Sequence, residues 1–383
     1  MISRKNKHAS NEQISNPSSV TKDKCFFRMP NSPASNFVLE VLGAGADIPN
    51  LPQRKKQVAR STEYEVTNDA GFPLVSMESR NAKIEIEISD IDKLAGSNKA
   101  AKKFFVFTLM KINEQALYDG KLTRDYISFS LEELVNIGFY QSVRSARTGF
   151  LSAMGTLTSI KICGSVKQSK QKQHFVKGLS VLFTESWISK GRCYVRLNYA
   201  ISWSFLFHYF TILPHYYFRL PNRAADLLYY IFYLARQHTR ELERQGYFTI
   251  SLRAIQQKLQ LPDETGNNNP ARTIRQPIED AVQQITDAHN RFYPEDHACI
   301  LTIYSSGASI TDYLIDGYLR IAFTGIFQKT FVSISRNTAE KIEASQKRRA
   351  HITEMAIASN KAKALRDTAC EACIDNTDEQ GDF

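Results

Sequence analysis

The roughly 20 consecutive apolar residues that a helix needs to cross a bilayer occur nowhere in this sequence. Its most apolar stretch, Ile201 to Phe218, is broken by His208, Pro214 and His215, so no membrane segment is expected. The first twenty residues, "MISRKNKHASNEQISNPSSV", lack the apolar centre of a secretory signal. The expected location is the cytoplasm. Cysteine is sparse: six residues, at 25, 163, 193, 299, 370 and 373, form neither a disulfide framework nor two paired zinc half-sites. Only Cys370 and Cys373 have ligand spacing, and they lie in a polar tail with no second pair near them.

Catalytic signatures are missing too. No two of the eight histidines are separated by a single residue, which excludes the metal-holding pair of rolling-circle nickases. There is no GxxxxGK[ST] stretch to cradle a triphosphate, and "GAGA" at Gly43 follows no strand pattern. No HExxH is present. Asp90 and Asp92 read as a helix cap. No Ser, His and Asp arrangement stands out. No enzymatic activity, cofactor or metal is therefore expected.

What the chain does have is positive charge, with a net +10 and a pI near 9.2. The charge is not spread evenly. Between Lys99 and Lys177 there are 13 Lys and Arg against 5 Asp and Glu, and a basic module favours a polyanionic partner.

Residues 1–78 are rich in Ser, Asn and Pro and read as a disordered basic arm. Order is expected to begin at "NAKIEIEIS", where Ile84, Ile86 and Ile88 alternate with Glu85 and Glu87 as in a half-buried strand. From there the sequence repeats itself. Phe105, Leu109, Ile112 and Ala116 make one helical stripe, and Ala224, Leu228, Ile231 and Ala235 have the same spacing. Each helix leads into a strand that runs into a Ser-capped short helix, "ISFSLEEL" from Ile127 and "FTISLRAI" from Phe248, at a constant offset of 121 residues. Ser130 and Glu133 have the spacing of a capping box.

A longer helix follows each short one, near 141–158 and 270–286, and a β-rich segment follows each of those. Helix, strand, helix-turn-helix and hairpin is the element order of a winged helix. The expected fold is α+β: two tandem winged-helix domains, over 79–200 and 222–334, with a disordered N-terminal arm and C-terminal tail. An aromatic linker at 201–221 is expected to bury itself between them, with a dimer surface as the alternative. Residues 335–383 read as a polar helix and an acidic tail.

A helix laid in the DNA major groove needs an apolar side to anchor it and an outer side of arginines and short polar residues. In the first longer helix, Val143, Ala146, Phe150, Met154 and Leu157 gather on one side, and Arg144, Ser145, Thr148 and Ser152 lie opposite. Arg144, Ser145 and Thr148 are thus base-reading candidates. Arg147, at the edge of the apolar stripe, suits a phosphate, and Ser142 can cap the helix. Lys167, Lys170 and Lys172 in "VKQSKQKQHF" are phosphate candidates on an expected wing.

In the second longer helix Ile274, Ile278, Ala281 and Ile285 make the buried stripe, with Arg272, Arg275, Gln276 and Glu279 facing away. Pro277 either bends this helix or begins it. In the second case Arg272 and Arg275 belong to the turn, and base reading by them and by Gln276 is open. The second wing, "SSGAS", carries no charge.

As an ordered set, "KKFFVFTLMKINEQ", "ISFSLEEL", "GYFTISLRAIQQKLQLP" and "RTIRQPIEDAVQQIT" resemble the plasmid replication initiators built of two winged helices, the iteron-binding Rep type. The resemblance runs from about Lys83 to Gln328. It implies binding to repeated double-stranded DNA sites at an origin, opening of adjacent duplex with a host initiator and helicase, and repression of the protein's own promoter as a homodimer. A winged-helix transcriptional regulator and a protein-interaction module that does not bind DNA are the alternatives.

Overall fold

The computed structural model describes residues 26–30, 33–44, 63–67, 74–79, 82–88, 91–115, 126–168, 171–172, 180–198, 210–265, 267–305 and 309–333. The C-terminal stretch 335–383, including Cys370 and Cys373, lies outside them.

Residues 91–115 form one long helix, and at 101–112 it is buried on every side. No amphipathic stripe could show this, because the helix is wrapped by partners all round. Helix α1 (Pro33–Ala44) and strand β1 (Phe26–Pro30) each lie against this helix, α2 (Ile91–Gln115). Three lysines of α2, Lys102, Lys103 and Lys111, are buried with it and paired, as buried charges must be. Lys102 meets Asp226 at 2.8 Å, Lys111 meets Glu114 and Glu133, and Lys103 donates to the carbonyls of Phe218 and Leu220 at 2.8 and 2.7 Å.

After α2 come β5 (Tyr126–Ser130), α3 (Leu131–Asn136) and α4 (Val143–Leu157). Strands β9 (Phe183–Ser189) and β10 (Arg192–Leu197) then close a three-stranded antiparallel sheet in the order β5-β10-β9. The second half repeats this with α5 (Asn222–Gln237), the short α6 (Thr239–Gln245), β12 (Tyr247–Ser251), α7 (Leu252–Lys258) and α8 (Gln276–Phe292). Its sheet, β12-β14-β13, joins β12 to β13 (Cys299–Tyr304) and β14 (Tyr318–Phe323). Both halves have the helix order and sheet order of a winged helix.

The repeat extends to single hydrogen bonds. Ser130 accepts from the Glu133 amide at 3.0 Å, and Ser251 from the Ala254 amide at 3.2 Å. The first amide of each short helix, Leu131 or Leu252, donates to a glycine carbonyl at the start of the last strand, Gly191 or Gly317, at 3.1 and 2.9 Å. The Ser130 box is half made, because the Glu133 carboxylate is drawn away to Lys111.

Two expectations need correction. The arm is not structureless over 1–78. Within it β1 and α1 bury Met29, Val38 and Leu42 completely, and β2 (Glu63–Thr67) and β3 (Leu74–Ser79) add to a sheet. The apolar runs of β1 and α1 are short and set among polar residues, and the partners they find, β11 and α2, lie far along the chain. A boundary at 79 would also cut that sheet, since β3 pairs with β4 (Ala82–Ile88).

Residues 201–221, where described, pack against both halves. The part described is β11 (Phe210–Pro214), which pairs with β1, and a 3-10 turn at His215–Arg219. Phe218 packs on Phe27, Phe107 and Phe139 with ring centroids 5.1 to 5.8 Å apart. Tyr216 packs on His289 and Tyr293 of the second half.

Finally, the second wing is interrupted by a helix, α9 (Ile310–Ile315), between β13 and β14. A further helical segment at 325–333 seals that end, with Phe327 and Phe331 against Phe232 and Phe323.

Candidate nucleic-acid interface

Helix α4 begins at a full capping box: Ser142 accepts from the Ser145 amide at 3.2 Å, and the Ser145 hydroxyl accepts from the Ser142 amide at 3.1 Å. The turn before it is fixed by two glycines. Gly138 has φ +79°, and a side chain there would strike Arg219. Gly149 lets the Tyr140 ring lie against α4, where a Cβ would come within 2.2 Å of the hydroxyl. Burial pushes the Tyr140 phenol up to about 12.

Ala146, Phe150, Ala153, Met154 and Leu157 anchor α4 in the core. Val143, expected with them, is 43% exposed. It stands at the helix start, beyond the end of the apolar surface that covers the later turns. Arg144, Arg147, Thr148 and Ser152 are exposed, as the helical spacing predicts. Neither Arg144 nor Arg147 makes an ion pair among the described residues, and α4 carries no acid. Two of the proposed base readers are partly committed. Ser145 is tied into the cap, donating to the Ser142 carbonyl at 2.8 Å. Thr148 donates to the Arg144 carbonyl at 3.2 Å. Arg144 is the least committed of the three candidates.

The second copy solves the Pro277 question with a π-helical turn, Ala271–Arg275, that runs into α8 at Gln276. Pro277 thus stands in the first turn, where its missing N–H costs nothing, and Arg272 and Arg275 precede the regular helix. Ile274, Ile278, Ala281 and Ile285 are buried as expected. The outer side differs from that of α4. Arg275 is bound to Glu279 at 2.8 Å with its guanidinium over the Tyr313 ring, and Gln276 donates to Asp280 at 2.7 Å. Arg272 is exposed and has no ion pair among the described residues. Internal neutralisation leaves the second face much the weaker attractor of phosphate.

The first wing is not where the lysine-rich run pointed. Strand β6 (Ile160–Gln168) pairs with β4 and continues into a short hairpin with β7 (Gln171–Lys172), so Lys167 and Lys172 lie opposite each other in another sheet. Lys170 lies outside the described residues. The wing on the winged-helix sheet is the β9–β10 hairpin. Its two-residue turn, Lys190 and Gly191, has φ +49° and +76°, the left-handed pair that matches strand twist. Lys190 and Arg192 are exposed there. The readable signal was "SWISKGRCYV", two alternating runs joined by Lys-Gly.

The Tyr126, Trp187 and Tyr194 rings cover the outer side of this sheet, with Trp187 and Tyr194 stacked at 5.0 Å. Among the described residues no group of three or more His, Cys, Asp or Glu could hold a metal, and no helix is long and apolar enough to cross a membrane.

No family model and no curated protein matches the sequence. Solved structures that the chain matches include the Pi initiator protein in complex with iteron DNA, at 14% identity and a TM-score of 0.40, over 80% of this chain and 98% of that one. Domains 2 and 3 of RctB are similar at 12% identity and a TM-score of 0.38, over 74% of this chain and 98% of that one. A second RctB structure of these domains gives 11% and 0.34, over 74% and 99%.

Proposed function

We propose that this chain is a replication initiator that binds repeated sites in double-stranded DNA at a plasmid origin and promotes opening of the adjacent duplex, without catalysis or a cofactor of its own. The observation that carries the reading is α4: an arginine-bearing helix, capped, anchored on one side, free of acids, and exposed, in a domain whose wing is also basic. Such a helix has the shape and charge to enter a major groove. The second copy adds a related but more neutral face. Salt-dependent affinity would come mainly from Arg147, Lys190 and Arg192, and sequence choice from Arg144 and Thr148. Repression of its own gene, a homodimeric state, host initiator and helicase partners and a cytoplasmic location belong to the same proposal, through the resemblance of its ordered motifs to the iteron-binding Rep type.

Binding to duplex from the neighbourhood of its own gene, measured at rising salt, tests the first part. Arg144→Ala should lose preference for that duplex by about tenfold, within the range for one base contact. Arg147→Ala should weaken all duplexes alike and flatten the salt slope by about one. Equal binding of the wild type to every duplex sinks the reading. Initiation itself is separated from transcriptional regulation by supplying the chain in trans: a plasmid that carries the repeats but lacks its own replication gene persists only if the chain initiates.

A further inference from the structure

The middle of the outward face of α4 is not polar. Turned at about 100° per residue, Arg144, Thr148, Leu151 and Gly155 fall within about 60° of one another, opposite the buried side. Leu151 is 54% exposed. One exposed leucine is ordinary on a protein surface. The glycine one turn further on is not ordinary in a helix interior, because it is unfavourable there relative to alanine.

Nothing inside the chain calls for Gly155. Its φ is not positive, and a Cβ built on it would meet no atom within 4 Å. Gly149 on the same helix is the contrast, since the Tyr140 ring fills the space where its Cβ would lie. The open space over Gly155 therefore faces outward, next to the exposed leucine and in line with the arginine.

We infer that this strip is a thymine-reading surface, in which Leu151 seats the 5-methyl group of a thymine and Gly155 lets the helix backbone come close to the groove wall. The inference rests on α4 being the groove-reading helix of the proposed function. The methyl is the apolar feature that the major groove displays, and it is absent from the other three bases. Leu151 follows Arg144 by seven residues, about 10 Å along the axis. That is roughly three base-pair steps at 3.4 Å each, so the thymine lies at that distance from the base met by Arg144.

The test uses the full chain and a duplex selected by it from a random pool, with each thymine replaced in turn by deoxyuridine. One position should lose about fourfold in affinity, the effect of one buried methyl. Leu151→Ala should bind thymine and uracil equally at that position, while still responding to the base met by Arg144. Gly155→Ala should raise the thermal midpoint of the free protein and weaken binding of the same duplex. If the wild type selects a duplex yet tolerates uracil at every position, the thymine inference falls and DNA reading stands. If it selects no duplex, both fall. Undiminished binding by Gly155→Ala overturns the role given to the glycine.

Discussion

His289 lies fully inside the second half, its Nε2 3.0 Å from the Cys299 amide and its Nδ1 3.3 Å from the Tyr216 hydroxyl. Burial holds its pKa at about 4, below the usual 6.5. The folded chain thus binds fewer protons than the unfolded chain between those values. Stability is complete above pH 6.5 and is lost as pH falls toward 4, by on the order of 3 kcal/mol. Denaturant midpoints at pH 7 and pH 5 should show the loss. In His289→Gln, whose amide oxygen can still accept from Cys299, the dependence should flatten. Lys103 is a buried base shifted in the same direction. Burial lowers its pKa to about 8, and even as a neutral amine it has two N–H groups for its two carbonyl partners.

At the scale of elements, the wing joins stability to function at one residue. Lys190 adopts a left-handed backbone that favours asparagine or glycine, and its charge stands at the hairpin tip. Lys190→Asn should therefore stabilise the chain by on the order of 0.5 kcal/mol and weaken its hold on every duplex alike. Thermal melts and anisotropy titrations on the same preparation would show whether the two effects part in this way.

The elements also show what local sequence could and could not tell. The offset of 121 residues, the serine caps and the buried stripes of α4 and α8 are short-range features, and each could be read directly. The wing was misplaced because β6 pairs back to β4, across the whole of α2 and the helix-turn-helix. Periodicity registers that a strand is present but not which strand it joins. The same limit hid β1, whose partner β11 lies at the other end of the first half. The side-chain ties of Arg275 and Gln276 follow from i, i+4 spacing and were readable in principle, since Glu279 and Asp280 stand in the sequence at those positions.

The whole molecule is stitched at the linker. Lys103 of the first half holds two linker carbonyls, Lys102 reaches Asp226 of the second half, and Arg219 donates to the Asn136 carbonyl at 3.2 Å while its guanidinium covers Phe292. The Tyr229 hydroxyl, on α5, donates to Asn36 of α1 at 2.7 Å, so the N-terminal segment fastens the same joint from another side.

These ties leave the two halves little slack, and the chain becomes a caliper with jaws set at one opening. Under the proposed function, a duplex must present its two contacted segments at the matching distance and on the matching side. Five base pairs inserted between those segments turn one of them about half a revolution away, and ten bring it round again but too far along. Both insertions should reduce binding to that of the first half alone, which titration of the lengthened duplexes measures directly. A loosely hinged pair would accept the longer insertion.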